Sequence, residues 1–283
     1  MTPSIWVHCL LKNEENYIWY ALNSVVGWVD KILVWDAEST DRTLPIVKEA
    51  IKRYGDKITL REYGPLSPKT YSLARQEMIN QTKADWIIIL DGDEVWWEDS
   101  IKKLCGLINE KGEYYESIVV RTINLIGDVY HYQEEKAGKY ELAGRKGHIA
   151  LRAISTKIPG LKVSGDYGHE GYYDNQDRPI QERDRKKIFF LDTPYLHFTH
   201  LPRSSDLAKE SQVPYRLKKI KHEIGICFPP DFYYPEALFR PRPKAVPSPW
   251  RPTSFKYNFR AFFETPLKRL RRKSFLKYAK HGY

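Results

Sequence analysis

The sequence predicts an α/β fold in which a mostly parallel sheet carries helices on both faces. Two observations favour this class. Apolar stretches of strand length alternate with stretches of helical periodicity through the first hundred residues, and such alternation builds parallel βαβ units. Each apolar stretch also ends in polar residues, and parallel sheets bind ligands at the carboxyl ends of their strands. We therefore expect a binding site at those ends.

The first half of the chain supplies four pairs of elements. We expect strands at residues 4–11, 31–35, 58–62 and 86–90, and helices at residues 17–26, 43–54, 71–81 and 100–109. The strands are apolar and partly β-branched, which is typical of a sheet covered on both faces. Asp41 is suited to cap the helix at residues 43–54.

The second half is less regular. Strands are expected at residues 117–125, 147–154 and 187–200, a loop or irregular hairpin at residues 130–145, and a helical stretch at residues 206–224 that Pro214 interrupts. Residues 1–225 then form one domain with halves 1–99 and 100–225. Eight prolines make residues 226–254 an extended connector, and residues 255–283 form a basic amphipathic segment.

The composition is that of a basic globular protein. The 283 residues are 42% hydrophobic and carry a net charge of +10, which favours anionic partners such as nucleotide phosphates, nucleic acid or an acidic membrane face. Three widely separated cysteines form no CxxC, which argues for a reducing, cytoplasmic location. We expect no signal peptide, and no apolar run approaches the roughly 20 residues of a membrane-spanning helix.

Two carboxylates, Asp91 and Asp93, flank Gly92 directly after the fourth strand. Carboxylates one residue apart can share a hard cation such as Mg²⁺ or Mn²⁺, and glycine allows a ligand to approach closely or the backbone to adopt an unusual angle. A plain surface turn is the alternative for so short a motif. Its position at a buried strand end favours the metal.

Four segments together resemble the family 2 glycosyltransferases. They are residues 5–25 with Lys12-Asn13-Glu14-Glu15, residues 34–43 with an acid followed by Ser-x-Asp-x-Thr, Ala74-Arg75-Gln76, and Leu90-Asp91-Gly92-Asp93-Glu94. The family commonly has Asn where Gln76 stands. The resemblance implies a GT-A fold, a Rossmann-like sheet that binds a nucleotide-sugar in the half formed by residues 1–99.

The resemblance also assigns residues to the donor. It implies nucleotide-sugar contacts for Leu11, Asn13, Glu15, Asp36, Asp41, Arg75, Asp91 and Gly92, and a metal bound by Asp93 with Asp91. Each polar position has a structural alternative. Asn13 could only form a turn, Asp41 could only cap a helix, and Arg75 could be a solvated helix residue.

The second half resembles a narrower branch, the enzymes that extend lipopolysaccharide cores or similar lipid-linked glycans. Residues 121–127, residues 149–152 and Gly168-His169-Glu170 follow its order, although the branch usually has Val or Ile where Gly168 stands. An inverting transfer needs a general base; Glu170 is the first candidate and Asp166 the reserve. A surface salt bridge is the alternative for Glu170.

Two other pairs of side chains could join the site. The resemblance implies that a late histidine reaches the metal or diphosphate, and His197 is preferred to His200. A structural role is the alternative for both. Trp96 and Trp97 could stack on a sugar, but core packing is expected for at least one.

The sequence therefore predicts a metal-dependent, inverting glycosyltransferase that uses Mn²⁺ or Mg²⁺. It would move a sugar from a nucleoside diphosphate to a hydroxyl of a glycan or lipid-linked acceptor. The carboxyl-terminal segment would touch the inner membrane face, or be a solvated helix or partner-binding tail. Nucleic acid is not expected. The alternatives are a sugar-phosphate nucleotidyltransferase, whose usual glycine-rich loop is missing at Lys12-Asn13-Glu14, and a non-catalytic membrane-associated nucleotide-sugar-binding protein.

Overall fold

The computed structural model describes residues 2–275 and 277–280. Its first part alternates strands and helices as predicted, and the bounds of the second and third helices and of the third strand agree with the prediction to the residue. The elements are β1 (Ile5–Leu11), α1 (Ile18–Val25), β2 (Lys31–Asp36), α2 (Thr43–Tyr54), β3 (Ile58–Glu62), α3 (Tyr71–Gln81), β4 (Trp86–Ile89), β5 (Glu94–Trp96) and α4 (Glu98–Lys111).

The second part is built mainly of strands, with short helices and one long helix at the end. The elements are β6 (Ser117–Ile126), β7 (Asp128–Tyr132), β8 (Tyr140–Leu142), β9 (Arg145–Gly147), β10 (Ile149–Ser155), β11 (Lys162–Ser164), β12 (Gly171–Tyr173), β13 (Ile188–His197), α5 (Leu207–Ser211), α6 (Arg216–Lys219), β14 (Ile226–Cys227) and α7 (Phe255–Phe275).

One large sheet organises the molecule. Its strand order is β14-β7-β6-β10-β4-β1-β2-β3, and β13 pairs with both β5 and β6. Strands β3, β2, β1 and β4 are parallel neighbours, and β6 is parallel to β13. Strand β10 runs antiparallel between β4 and β6. The α/β class is confirmed.

Side chains of alternate residues on the central strands enter different cores, because successive residues of a strand point to opposite faces. Cys9, Leu11 and Val34 join the main core with α1, α2 and α4. Leu10 and Leu33 pack instead with residues of α3. Helices therefore cover both faces, as the nearly continuous apolar strands predicted.

Of three local features, the first differs from the sequence prediction and the other two agree with it. Strand β5 follows the acidic turn after β4, where no strand was expected, and residues 130–145 contain the end of β7 and the β8–β9 hairpin. The helical stretch at residues 206–224 is two short helices, because the chain breaks near Pro214 and Tyr215 adopts a φ of 58°.

The proline-rich stretch packs against the domain rather than bridging a gap. Phe228, Leu238 and Val246 are buried in the main core. The Tyr20 hydroxyl donates to the Pro247 carbonyl at 2.7 Å, and α1 also contacts the 3₁₀ turn at Glu236–Leu238. The prolines exclude regular structure here, but apolar side chains between them still find the core.

Helix α7 lies within the predicted amphipathic segment. Leu276 and residues 281–283, which belong to that segment, lie outside the described residues. Among the helices that the structure describes, none is both long and apolar enough to cross a membrane.

Candidate active site

The pairing of β5 with β13 brings a late histidine to the acidic turn. The two strands are antiparallel, with His197 opposite Glu94, and the Phe198 amide donates to the Asp93 carbonyl at 2.9 Å. Because this register is fixed by backbone hydrogen bonds, the imidazole of His197 lies beside the carboxylate of Asp93. His197 Nε2 is 3.3 Å from Asp93 Oδ2.

The Asp93 carboxylate is fully buried and ionic in its contacts. Arg203 Nη2 lies 2.9 Å from Oδ2, and Oδ1 has no hydrogen-bond partner among the described residues. Burial alone would raise the pKa of Asp93, but Arg203 and His197 hold that pKa well below its ordinary value. Asp93 is therefore a carboxylate at every physiological pH.

A buried carboxylate that has one unpartnered oxygen, and whose other oxygen lies beside an imidazole, fits a divalent cation. Mn²⁺ and Mg²⁺ favour oxygen ligands, and Mn²⁺ also accepts nitrogen. Within the described residues, however, no three His, Cys, Asp or Glu side chains are grouped to hold a metal. Asp91, the other predicted metal ligand, lies near two arginines of the protein instead. Its carboxylate lies 3.4 Å from Arg75 and 3.7 Å from Arg152.

Glu94 contacts both Asp91 and one of its arginines. It is fully buried, forms an ion pair with Arg152, and accepts a hydrogen bond from the Asp91 amide at 3.3 Å. Burial raises the pKa of Glu94 to about 6, against the opposing effect of Arg152. Arg152 also donates to the Tyr195 hydroxyl at 3.0 Å, so one guanidinium links β10, β13 and the acidic turn.

Gly92 has a different reason to be glycine from the one expected. Its φ is not positive, and a Cβ at this position would lie 2.6 Å from Cγ of Glu14. The close neighbour is thus a side chain of the protein itself, although Gly92 also lines the cavity. Glu14 in turn forms ion pairs with Arg203 at 3.2 Å and with Arg216.

At the ends of β1 and β2, the predicted nucleotide contacts serve the protein's own structure. The Asp36 carboxylate accepts from Ser39, and Asp41 accepts from the Thr43 amide at 2.9 Å, which caps α2. Asn13 has a φ of 54°, a turn conformation. These facts agree with the structural alternatives for Asn13 and Asp41.

The segment that contains α5 and α6 covers this end of the sheet. The side-chain amide of Asn13 donates to the Lys209 carbonyl at 3.0 Å. Glu15 accepts from the Ser204 hydroxyl at 3.1 Å and from the Ser205 amide at 2.7 Å. The same segment carries Arg203 and Arg216, so it joins the two strand ends to the acidic turn.

A cavity of about 390 Å³ lies over these groups. Of the predicted site residues, it is lined by Leu11, Arg75, Asp91, Gly92, Glu170, His197 and His200. Asn13, Glu15, Asp36, Asp41, Asp93 and Asp166 lie outside its lining as the structure describes it. Asp93 sits directly beneath, since His197 and Arg203, which contact it, both line the cavity.

The two candidate bases differ sharply in their surroundings. Glu170 is 3% exposed and lines the cavity. Its Oε2 accepts from the Gly168 amide, while Oε1 has no hydrogen-bond partner among the described residues. Asp166 is exposed on the same loop. Glu170 forms no salt bridge with the residues that the structure describes, so the surface salt bridge considered for it is not found there.

The remaining candidates take structural places. Trp96 is fully buried and stacks on Tyr195 with ring centroids 4.9 Å apart. The Trp97 ring nitrogen donates to the Tyr233 carbonyl at 2.9 Å. His200 contacts the Lys219 carbonyl, the Lys221 ammonium and the Gln133 side-chain oxygen, and it forms no ion pair with Asp93 among the described residues.

Sequence reasoning gave no role to the arginines that balance the acids. Arg152, Arg203 and Arg216 are each at most 5% exposed, which is rare for arginine unless it is paired. They lie 58 to 125 residues after the acidic turn, too far along the chain for a local pattern to connect them with its acids. The only available signal was the excess of basic residues in a chain whose strand ends are acidic.

The chain was compared with known proteins. A family model described as "Glycosyl transferase family 2" matches residues 7–163, more than half of the chain. An uncharacterized glycosyltransferase of Rickettsia bellii is 35% identical over 95 residues, which cover 33% of this chain and 29% of that protein. A second, from Rickettsia conorii, is 30% identical over 95 residues, 33% of this chain and 30% of that protein. The matches thus span less than a third of these relatives.

Solved structures with similar folds were also found. S. aureus TarS 1-349 in complex with UDP-GlcNAc has a TM-score of 0.47 at 15% identity, covering 76% of this chain and 66% of that one. Glucosyl-3-phosphoglycerate synthase from Mycobacterium tuberculosis, in complex with Mn²⁺, UDP-Glc and phosphoglyceric acid, has a TM-score of 0.46 at 18% identity, covering 69% and 72%.

These findings define the class of protein. The chain belongs to glycosyl transferase family 2. The predicted membership of the family 2 glycosyltransferases is confirmed.

Replacing Gly92 with alanine should destabilise the protein, because the new methyl group must displace the buried side chain of Glu14. We expect the free energy of unfolding to fall by about 1–3 kcal/mol, the usual cost of overpacking. Urea denaturation followed by circular dichroism measures it. The control is Gly106→Ala in α4, where a Cβ meets nothing within 4 Å, so stability should rise by up to about 1 kcal/mol. Equal effects of the two substitutions would contradict the Glu14 contact.

Proposed function

We propose that this protein transfers a sugar from a nucleoside diphosphate sugar to a hydroxyl of a glycan or lipid-linked acceptor, with inversion and with Mn²⁺ or Mg²⁺ bound. The observation that carries the proposal is the meeting of the acidic turn, a late histidine and an unpartnered buried glutamate at one cavity of a family 2 chain. Residues 1–225 would form the catalytic unit, with the donor in the half formed by residues 1–99.

The donor would lie along the carboxyl ends of β1 and β4. Leu11, Arg75, Asp91 and Gly92 line the cavity there. Asn13, Glu15, Asp36 and Asp41 stand at the end of the sheet where the base and ribose would bind. Their hydrogen bonds to the loops and to residues 203–212 would have to be exchanged for bonds to the nucleotide.

The metal would be held by Asp93 and His197. These two side chains supply part of the coordination, and water and donor phosphates are the usual remaining ligands of such ions. When bound, the cation offsets charge on the departing diphosphate. Asp91 would contact the sugar-nucleotide, since Arg75 and Arg152 already hold its carboxylate at the cavity wall.

Glu170 would act as the general base. Its Oε1 atom is buried, faces no hydrogen-bond donor of the described residues, and belongs to a side chain that lines the cavity. It would take the proton of the acceptor hydroxyl as that oxygen attacks the anomeric carbon and the bond to the diphosphate breaks. The Gly168 amide fixes the carboxylate through Oε2.

Glu170→Gln should keep donor binding and lose transfer, because an amide has the shape of the carboxylate but does not accept the proton. We expect kcat to fall by about 100- to 10,000-fold, the usual contribution of a general base, with little change in the KM for the donor. Steady-state kinetics of sugar transfer measures both. Asp166→Asn, on the exposed part of the same loop, should remain active. A fully active Glu170→Gln variant would exclude this residue as the base.

Asp93→Asn should remove the metal dependence of donor binding. Asparagine keeps the shape but loses the charge, so Mn²⁺ affinity should fall by at least about a hundredfold, since loss of a residue that only orients a ligand already costs 10- to 100-fold. The measurement is thermal shift with Mn²⁺ alone and with UDP-, GDP- and TDP-sugars, because a ligand of the folded form raises Tm.

The wild type should show a larger shift with metal and sugar nucleotide together, and the variant should lose that increment. Asp166→Asn is again the matched control. If Asp93→Asn keeps the metal-dependent increment in full, Asp93 does not hold the ion.

Helix α7 gives the protein a surface suited to an anionic membrane. Six large apolar side chains on it are between 59% and 82% exposed. They recur at helical spacing: Phe255, Phe259, Phe262, Phe263, Leu267 and Leu270. Lys256, Arg269 and Arg271 are exposed on the same helix. An apolar stripe flanked by cations matches the interface of an anionic bilayer, so we propose peripheral binding there.

Phe259→Ser combined with Phe263→Ser should weaken binding to vesicles that contain phosphatidylserine. Removing two aromatic rings that would enter the bilayer interface should lower the partition coefficient by about tenfold or more. Cosedimentation with anionic and with neutral vesicles measures it. Leu73→Ser on α3, where Leu73 is 61% exposed, is the control. Equal partitioning of the double variant and the wild type would contradict the membrane contact.

A further inference from the structure

The cavity contains two kinds of cation. Its arginines are all paired with carboxylates: Arg75 and Arg152 with Asp91 or Glu94, and Arg203 and Arg216 with Asp93, Glu14 or Glu210. Four of its lysines, Lys139, Lys218, Lys219 and Lys221, have no carboxylate within 4.0 Å in the part of the chain that the structure describes. Lys139 and Lys218 are exposed, whereas Lys219 and Lys221 are half-buried. An unpaired charge is costly where it is buried, so the two half-buried lysines point to an anion that binds there.

Lys221 is the best placed of these lysines. It is half-buried, and its ammonium lies 3.0 Å from Nε2 of His200. Burial, with Lys221 beside it, lowers the pKa of His200 well below its ordinary value, so His200 is neutral. Its Nδ1–H donates to the Lys219 carbonyl at 2.9 Å, and the lone pair of Nε2 accepts from Lys221. The histidine therefore orients the ammonium without neutralising it.

Glu223 is the acid with the largest effect on the pKa of Lys221, but among the described residues no carboxylate lies within 4.0 Å of Lys221. Glu223 forms an ion pair with Arg272, which leaves Lys221 with Lys139, Lys268 and Arg272 as further charged neighbours. Burial, with Lys139 next among the lowering causes and Glu223 opposing, lowers the pKa of Lys221 to about 8. An anion bound at Lys221 and Lys139 would reverse that effect.

Lys221 and its neighbour Lys219 have different charged surroundings. The charged groups that act on Lys219 are Arg203, Asp93 and Asp91, those of the acidic turn. Those that act on Lys221 are Glu223, two residues further along the chain, Lys139 in the segment after β7, and Lys268 and Arg272 on α7. His148, directly before β10, also lines the cavity and contacts the Glu134 carbonyl at 3.0 Å. Lys221 thus lies among cavity residues that follow the acidic turn in the sequence, outside the half of the chain that would bind the donor.

We propose that Lys221, with Lys139, binds an anionic group of the acceptor, a phosphate monoester or a carboxylate. The proposal rests on the proposed function, because it divides the cavity between donor and acceptor. The anionic group would lie beside His200. The acceptor hydroxyl that attacks the sugar would then lie near Glu170, its general base. The acceptor would then be an anionic glycan or glycolipid rather than a neutral one.

The test measures binding of simple probes to the full chain by titrated thermal shift. Glucose 6-phosphate, glucuronate and glucose are compared on the wild type, Lys221→Met, Lys221→Arg and Lys83→Met, an exposed lysine before β4. At least one anionic probe should raise Tm where glucose does not, and which one does identifies phosphate or carboxylate. Lys221→Met should weaken that probe by about tenfold or more, the worth of a charge-assisted hydrogen bond. Lys221→Arg and Lys83→Met should stay close to the wild type.

The same variants are titrated with the sugar nucleotide and Mn²⁺ that stabilise the wild type. Donor affinity of Lys221→Met should change by less than about twofold. The inference is overturned if neither anionic probe binds better than glucose, if Lys221→Met binds the anionic probe as the wild type does, or if it loses donor and probe affinity by the same factor. If no sugar nucleotide binds the wild type, the proposed function itself fails and the acceptor assignment falls with it, whatever the anionic probes do.

Discussion

The structure depends on the neutralisation of buried carboxylates by arginines that lie far away in the chain. Glu14, Asp93 and Glu94 are at most 3% exposed, and an unpaired carboxylate at such depth would be strongly destabilising. Arg152 and Arg203 provide the compensating charges. The acidic turn can therefore be buried only after β10 and the segment following β13 have docked. This makes the site a product of the whole fold rather than of one motif.

This dependence explains which features could be predicted. The alternation of strands and helices is local, because each element repeats its apolar residues at its own period, and α2, β3 and α3 were placed to the residue. Strand β5 could not be foreseen, since three residues after an acidic turn carry no periodicity and are held by β13 about 100 residues later. The ion pairs of Arg152 and Arg203 have the same non-local origin.

The polar strand ends show the limit of reasoning from residue type. Asp36 accepts a hydrogen bond from the Ser39 amide in the loop that follows it, and Asp41 accepts one from the Thr43 amide at the start of α2. An acid at a strand end can therefore stabilise its own turn and still lie near a ligand. Gly92 is similar. Because Gly92 has no side chain, Glu14 can pack against it. Glu14 then forms the ion pairs that position Arg203 and Arg216. A residue of a short motif can thus be required both by the fold and by a ligand. The sequence alone does not show which of the two requirements applies.

Arg203 has a further consequence for the metal. It contacts the carboxylate oxygen of Asp93 that lies nearest His197, so a cation bound between Asp93 and His197 would share that oxygen with the guanidinium. Arg203 also pairs with Glu14, which gives it a second carboxylate to retain if the ion takes a larger share of Asp93. The guanidinium and the ion would then balance the acids alternately. Arg203 thus keeps both acids paired in the fold, while Asp93 and His197 would hold the ion, whose charge would offset that of the departing diphosphate.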